Sequence, residues 1–157
     1  MADALEILIL LAPDTKVRSL TDATRARSLR WARMCYDHLA GAVGVSVTEA
    51  LVTRGLLGQE DGTYRMGAGG AEEFGRFGID MGRLEQRTRP LLRPCLDWSE
   101  RRYHLAGSLG AALTGAFVEH RWIATREASR IVTVTKAGQA GLQDWLGIDL
   151  AELRAAA

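Results

Sequence analysis

Two stretches of the sequence are near copies of each other, and this internal repeat limits the folds that the chain can adopt. The segment His38–Gly44 is HLAGAVG, and the segment His104–Gly110 is HLAGSLG. The same offset of 66 residues also pairs Thr48 with Thr114. We therefore expect two similar units of about seventy residues each, rather than one domain without internal symmetry.

A second shared pattern, Arg-x-Cys-x-Asp, stands shortly before each of these segments. It is formed by six residues: Arg33, Cys35, Asp37, Arg93, Cys95 and Asp97. The second copy contains six extra residues, Trp98–Tyr103, before its histidine. We therefore divide the chain into an N-terminal linker over residues 1–20 and two repeats over residues 21–88 and 89–157, which differ by insertions in loops.

The spacing of apolar residues predicts the secondary structure of each repeat. Over Leu29–Leu51 they recur at steps of three and four, which predicts one long helix, or two helices broken at Gly41–Gly44. Asp61-Gly62 between short apolar segments predicts a β-hairpin, and Ile131–Val134 predicts a strand of the equivalent hairpin. The predicted fold class is α+β, mostly helical, with two tandem repeats of helix, β-hairpin and helix.

Capping residues mark where several helices are expected to begin. Ser19, Asp80, Thr135 and Asp149 each stand before a predicted helix, where their side chains can accept hydrogen bonds from free backbone N–H groups. A further short apolar helix is predicted over Ala2–Leu11, because a proline follows soon after it.

Charge and composition exclude several classes of protein. The 20 basic and 19 acidic residues give a net charge of +1, whereas a protein that coats nucleic acid without specificity carries a large positive excess. The longest apolar run, Ile7–Ala12, is too short to cross a bilayer, and no basic signal-peptide region follows Met1. Two cysteines do not make a disulfide scaffold. We therefore expect reduced thiols, cytoplasmic localisation and no membrane partner.

The sequence contains none of the common catalytic motifs. There is no Gly-x-Ser-x-Gly nucleophile motif, no His-Glu-x-x-His metal motif and no P-loop. Gly67–Gly70 is similar to a nucleotide-binding turn, but Glu72 stands where a further glycine is required. We therefore expect a protein that is not an enzyme.

Longer motifs resemble known regulators of transcription. Ile131–Gly138, with the sequence IVTVTKAG, resembles the second wing strand and the following helix of MarR- and PadR-like winged-helix proteins. This resemblance implies that each repeat is a degenerate winged helix. The segments Ala12–Leu20, Leu29–Gly41 and Cys95–Gly110 resemble the C-terminal extension in one subgroup of bacterial ArsR-family transcription regulators.

The resemblance to the ArsR family implies a function. In that subgroup the extension follows an N-terminal winged-helix domain that binds operator DNA, and this chain is expected to correspond to the extension without that domain. The resemblance implies an effector-sensing module, a homodimer supported by the linker helix, and a metal ion or small molecule as effector. Two alternatives remain open: a tandem winged-helix module that binds DNA directly, and a purely structural dimerisation module.

The repeated cysteines and histidines form a candidate metal site. Cys35 and His38 are three residues apart on the predicted helix, so they share a face. Cys95 and His104 are their equivalents in the second repeat. If the repeats pack about a pseudo-twofold axis, the four side chains meet. Thiolate and imidazole are ligands suited to Zn²⁺ or another transition metal, and ArsR-family relatives include metal sensors.

The charged residues beside this site have two interpretations. In the first, Asp37 and Asp97 accept hydrogen bonds from the imidazoles and orient them. In the second, Arg33 with Asp37 and Arg93 with Asp97 form ion pairs one helical turn apart. The cysteines are then small buried hydrophobic residues and the histidines are hydrogen-bonded core residues. Redox sensing by the thiols is a third possibility.

Two further groups of residues are candidates for binding. Four aromatic side chains are expected to line an effector pocket between the repeats: Tyr36, Trp98, Tyr103 and Trp122. Three basic residues around the wing-like hairpin are candidates for contacts with DNA: Arg126, Arg130 and Lys136.

Overall fold

The computed structural model describes residues 19–156. The first half contains, in chain order, α1 (Leu20–Trp31), β1 (Arg33–Cys35), β2 (His38–Ala40), α2 (Gly41–Thr53), β3 (Leu57–Glu60), β4 (Thr63–Met66), α3 (Gly70–Arg76) and α4 (Met81–Glu85). The second half contains β5 (Arg93–Leu96), β6 (Tyr103–Ala106), α5 (Gly107–Glu119), β7 (Ile123–Thr125), β8 (Val132–Val134), α6 (Lys136–Leu146) and α7 (Leu150–Ala156). The four sheets are two-stranded antiparallel hairpins.

The predicted α+β fold with tandem repeats of helix, hairpin and helix is confirmed, and each repeat contains one more hairpin than predicted. The elements from β1 to α4 recur in the same order from β5 to α7. Among the described elements, α1 has no counterpart in the second half. The predicted limits of the three segments, 1–20, 21–88 and 89–157, stay predictions. The helix predicted over Ala2–Leu11 lies outside the described residues.

The prediction of one helix over Leu29–Leu51, or of two helices broken at Gly41–Gly44, is wrong, because a hairpin interrupts this segment before Gly41 and Gly41–Gly44 belong to the second helix. Helix α1 ends at Trp31, and β1 and β2 then pair around a two-residue turn at Tyr36-Asp37. Helix α2 begins at Gly41, whose φ of +81° suits glycine. A Cβ atom there would lie 2.6 Å from the backbone oxygen of Arg30. The residues between Trp31 and Gly41 lie on short strands, so their side chains point alternately to the two faces of the hairpin and do not form one helical stripe.

The hairpins and helix starts that the turn and capping signals predicted are confirmed. Hairpin β3–β4 turns at Asp61-Gly62, and both of these residues have positive φ. Hairpin β7–β8 contains Val132 and Val134 from the predicted strand. Four side chains accept hydrogen bonds of 2.7–3.1 Å from backbone N–H groups two or three residues ahead: Ser19, Asp80, Thr135 and Asp149.

The two repeats exchange hydrogen bonds in a reciprocal way. The backbone N–H of Leu39 donates to Oγ1 of Thr114, and the backbone N–H of Leu105 donates to Oγ1 of Thr48, both at 2.9 Å. Helix α2 of the first repeat packs on β6 of the second, and α5 packs on β2. This exchange of equivalent contacts gives the pseudo-twofold arrangement that the repeat suggested, with β2 and β6 in contact near its centre.

A single hydrophobic core connects the repeats. It includes Val43 and Leu51 of α2 together with Leu109 and Phe117 of α5, all of which are buried. The continuous core makes the interface between the repeats part of the folded structure rather than a loose contact. Among the described residues, no helix is both long enough and apolar enough to cross a membrane.

Candidate metal centre

Two equivalent hairpins hold the predicted ligands in cross-strand pairs. Cys35 on β1 lies opposite His38 on β2, and Cys95 on β5 lies opposite His104 on β6. The expected placement of Cys35 and His38 on one helix face is therefore wrong, because these residues belong to strands. Directly opposite residues of an antiparallel pair lie on the same face, so each hairpin still presents its Cys and His together.

The interface between the repeats brings the two pairs into one cluster. The donor atoms of Cys35, His38, Cys95 and His104 all lie within 4.8 Å of one another. The two sulfurs are 3.9 Å apart, and the Nε2 atoms of the two histidines are 3.2 Å apart. In the cluster, Cys35 is partly exposed, whereas His38, Cys95 and His104 are buried. Solvent therefore reaches the cluster at Cys35.

These separations match the edges of a tetrahedral site. Zn–S bonds of about 2.3 Å and Zn–N bonds of about 2.0–2.1 Å give tetrahedron edges of about 3.8 Å between sulfurs and about 3.3–3.4 Å between nitrogens. The measured distances of 3.9 Å and 3.2 Å lie close to both values. A sulfur-to-nitrogen edge would measure about 3.5 Å. Since all four donors lie within 4.8 Å of one another, no sulfur-to-nitrogen separation needs to shorten by more than about 1.3 Å for binding.

Carboxylates behind the histidines set the direction of the nitrogen lone pairs. Oδ1 of Asp37 lies 3.3 Å from Nδ1 of His38. Oδ2 of Asp97 lies 3.2 Å from Nδ1 of His104, at an angle too oblique for a good hydrogen bond. A carboxylate beside Nδ1 favours the tautomer with its proton on that atom, which leaves Nε2 as an acceptor and metal ligand. The two Nε2 lone pairs then repel each other unless a proton or cation lies between them.

The cluster favours a negatively charged sulfur. Hydrogen bonds with Cys95, and then with His104 and His38, lower the pKa of Cys35 from 9.0 to about 2 against the opposing effect of burial. Burial alone would lower the pKa of His104, but its contacts with Asp97 and Cys35 raise it. These groups therefore favour a thiolate beside a positive charge, and a thiolate is the form of cysteine that binds metal ions.

Buried Asp97 links the cluster to the first helix. Its Oδ1 accepts a hydrogen bond of 2.8 Å from Nη2 of Arg33, and its Oδ2 accepts one of 2.7 Å from the backbone N–H of Gly41. Burial opposes its ionisation, but contacts with His104 and Arg33 hold the pKa of this carboxyl well below its usual range. Arg33 also donates to the backbone oxygen of Leu29 in α1, at 3.1 Å.

The predicted ion pairs one helical turn apart are wrong. Arg33 pairs with Asp97 of the other repeat instead of Asp37, and Asp37 pairs with Arg89. Arg93 is exposed on β5. Residues i and i+4 share a face only on a helix, and these residues lie on strands and turns. The contacts of Asp37 and Asp97 with the histidines instead favour their interpretation as residues that orient the imidazoles.

The four aromatic residues that we expected to line a pocket lie in different surroundings. Tyr36 and Tyr103 are exposed, Trp98 lies against Arg33, and partly buried Trp122 stacks on Phe117. None of the four lines the cavity between α1 and the last two helices or the small one at the interface of α2 and α5. An effector pocket formed by these residues stays a prediction.

The three basic residues predicted to contact DNA lie around hairpin β7–β8. Arg126, Arg130 and Lys136 are exposed. Nε of Arg130 donates a hydrogen bond of 3.0 Å to the backbone oxygen of Met34, which joins this hairpin to β1. A role of these residues in binding DNA stays a prediction.

Three further residues support the cluster, and none of them was predicted as a site residue. Thr48 and Thr114 hold the strands that carry the histidines, through their bonds to the next residues, Leu105 and Leu39. The alignment of the two repeats pairs Thr48 with Thr114, and this pairing could have indicated that the two threonines have equivalent structural roles. No sequence signal linked Arg89 to Asp37, because they are 52 residues apart and belong to different repeats.

One relative aligns with almost the whole sequence. The chain is 37% identical over 149 residues, 95% of its length, to an uncharacterized HTH-type transcriptional regulator, YdfF, of Bacillus subtilis strain 168. The chain is homologous to a helix-turn-helix transcriptional regulator. It spans 66% of the length of that regulator. No family model and no solved structure matches the sequence. The homology supports a relation to transcription regulators, and membership of the ArsR family stays a prediction.

Proposed function

We propose that this chain is the metal-sensing region of an ArsR-like transcription regulator. Its effector is a Zn²⁺-like transition-metal ion, bound by Cys35, His38, Cys95 and His104. The observation that carries the proposal is the meeting of two thiols and two imidazoles at distances close to those of a tetrahedral site. A relative that is a transcriptional regulator supports the regulatory part.

The donor set suits an ion that regulates rather than one that catalyses. Four protein ligands fill a tetrahedral site, whereas a catalytic zinc site keeps one position open for water or substrate. Two thiolates and two imidazoles favour Zn²⁺ and related soft or borderline ions over Mg²⁺ or Ca²⁺, which prefer oxygen ligands. A bound cation also removes the repulsion between the facing Nε2 atoms of His38 and His104.

Each repeat supplies half of the ligands, so binding acts on the arrangement of the repeats. Cys35 and His38 come from the first hairpin, and Cys95 and His104 come from its equivalent. An ion that binds more tightly when the two hairpins are close stabilises that arrangement. The stabilisation is set by the difference between its affinities for the close and the separated arrangements. Metal binding is thereby coupled to the packing of the repeats on each other.

A chain of contacts leads from the site to α1. Asp97 contacts Nδ1 of His104, Arg33 bonds to Asp97, and Arg33 bonds to the backbone oxygen of Leu29 in α1. The linker predicted over residues 1–20 directly precedes the body of α1. We propose that the ion biases this helix and, through the linker, DNA-binding domains of a homodimeric regulator.

A cobalt titration of the full chain tests the proposal. Metal-free protein, prepared under reducing conditions, is titrated with Co²⁺ while its visible and near-ultraviolet absorption is recorded. We expect saturation at a single equivalent, with the intense visible bands of tetrahedral Co²⁺ and a thiolate-to-cobalt charge-transfer band. Addition of Zn²⁺ is expected to abolish both signals by displacing the cobalt.

Two histidine variants serve as a matched pair in this titration. His38→Ala removes a ligand and is expected to lose the tetrahedral spectrum. His120→Ala is expected to keep it, because His120 is exposed and bonds to the backbone oxygen of Phe77 outside the cluster. Absence of a charge-transfer band in the wild-type chain, or equal spectra from the two variants, would contradict the proposed ligand set.

A further inference from the structure

The sulfur atoms of the cluster are close enough to react with each other. Cys35 and Cys95 are the two cysteines of the sequence, and their sulfurs lie 3.9 Å apart without a disulfide bond. They come from different repeats and are 60 residues apart along the chain. The pair therefore sits across the interface that the proposed ion bridges.

The geometry of the hairpins favours a bond between these two sulfurs over other oxidation products. A disulfide has an S–S length of about 2.05 Å, so the sulfurs must approach by about 1.9 Å. Each sulfur is attached to its strand through a single rotatable Cα–Cβ bond, and rotation about these two bonds is the side-chain movement available to close this gap. A neighbouring thiol captures an oxidised sulfur before further oxidation takes place.

The exposure of the cluster is uneven, and this decides what can reach it. Cys35 is partly exposed, whereas Cys95 is buried in the cluster with His38 and His104. A small oxidant such as a peroxide can therefore reach the sulfur of Cys35 from solvent. The sulfurs of Cys35 and Cys95 supply two of the four proposed ligands, so any reaction that joins them removes half of the donor set.

We propose that the cysteine pair makes the metal site a redox switch, in which oxidation of Cys35 and Cys95 to an intramolecular disulfide releases the ion. The inference rests on the proposed function, since it assigns a second state to the same site. The two imidazoles that remain cannot hold a tetrahedral ion of this class tightly, because metal binding at such sites depends on thiolate ligands.

The chemistry balances with a hydroperoxide as oxidant. The Cys35 thiolate attacks one peroxide oxygen, the O–O bond breaks, and the sulfur becomes a sulfenic acid while the other oxygen leaves as water after protonation. The Cys95 thiolate then attacks the oxidised sulfur and displaces its hydroxyl group as a second water. Overall, the two metal-bound thiolates give two electrons to hydrogen peroxide, two protons are taken up from solvent, and the products are one disulfide, two waters and the free metal ion.

The test follows metal release and disulfide formation in the same sample. The zinc-loaded full chain is treated with hydrogen peroxide, free zinc is read with a colorimetric chelator, and the protein is analysed by intact mass and peptide mapping. We expect about one zinc released per disulfide, a mass loss of about 2 Da, and a peptide that joins residues 35 and 95. Reduction followed by removal of the reductant and addition of zinc is expected to restore binding.

Metal-free protein separates the failure of this inference from the failure of the proposed function. Peroxide treatment of the wild-type chain without metal, and of His38→Ala, is expected to give the same intramolecular disulfide. Two results would overturn the switch without contradicting the metal site. In the first, the chain binds zinc but forms no disulfide on oxidation. In the second, zinc is released together with higher sulfur oxides or with a cross-link between two chains. A disulfide in a chain that binds no zinc would overturn the proposed function and, with it, the switch.

Discussion

Asp97 and Asp37 occupy equivalent positions in the two repeats but differ sharply in environment. Asp97 and its partner Arg33 have side chains that are 0% and 1% exposed, whereas Asp37 and its partner Arg89 are 46% and 40% exposed. Buried charges are costly when unpaired, while exposed pairs are screened by water. The repeat therefore preserves the carboxylate beside each histidine but makes one of them part of the core.

Because Asp97 is buried and Asp37 is not, we expect loss of the Asp97 carboxylate to destabilise the fold more than loss of the Asp37 carboxylate. Asp97→Asn keeps the shape of the side chain but leaves the buried guanidinium of Arg33 without its counter-charge. We expect the free energy of unfolding of the metal-free chain to fall by about 3–5 kcal/mol, measured by urea denaturation.

Asp37→Asn is the matched control for that experiment. It removes an ion pair with Arg89 that is largely in contact with solvent. We expect a loss of about 1 kcal/mol or less. Equal losses in the two variants would contradict the assignment of Asp97 as the buried contact between the repeats.

At the scale of single elements, α2 and α5 depend on glycines where they approach their own hairpins. A Cβ atom at Gly44 would lie 2.5 Å from the backbone oxygen of Leu39, and one at Gly110 would lie 2.5 Å from that of Leu105. Backbone oxygens of paired strands cannot move aside easily. The two glycines therefore set how closely each helix packs on the strand that carries a histidine.

Gly110 and Gly115 belong to the same helix, α5, but differ in the space beside them. We expect Gly110→Ala to lower the free energy of unfolding by about 1–3 kcal/mol, because the added methyl group clashes with the strand. Gly115 has no atom within 4 Å of a built Cβ, so Gly115→Ala is expected to raise stability by about 0.5–1 kcal/mol. Thermal or urea unfolding measures both, and a stabilising Gly110→Ala would show that the close packing is absent.

The elements that carry strong local signals could be predicted from the sequence. Asp61-Gly62 marked a hairpin because its backbone suits a tight turn, and Thr135 marked a helix start because its hydroxyl caps free N–H groups. Hairpin β1–β2 was missed because its strands have three residues each, and its turn, Tyr36-Asp37, lacks glycine. Its apolar residues also fall at helical spacing by coincidence.

The four cluster residues could be named from the repeat alone, but their supporting contacts could not. Equivalent residues near a pseudo-twofold axis meet whatever the local secondary structure is, so the wrong helix did not remove Cys35 and His38 from the candidate site. The pairing of Arg33 with Asp97 instead of Asp37 depends on how the repeats are placed on each other. Distant placement of this kind leaves no pattern in a single sequence.

At the scale of the whole molecule, the two repeats form one folded unit with the cluster at their interface. Reciprocal bonds from Leu39 to Thr114 and from Leu105 to Thr48 fix the strands on either side. An ion bound there takes ligands from both halves, so its affinity measures how well the halves are positioned. We therefore expect a metal shell that neither repeat can provide alone.

X-ray absorption at the zinc edge of the zinc-loaded, reduced chain tests this claim most directly. We expect a four-coordinate shell of two sulfurs at about 2.3 Å and two imidazole nitrogens at about 2.0–2.1 Å, with a single zinc per chain. A shell of oxygen and nitrogen alone, or one with a single sulfur, would contradict a site shared between the repeats.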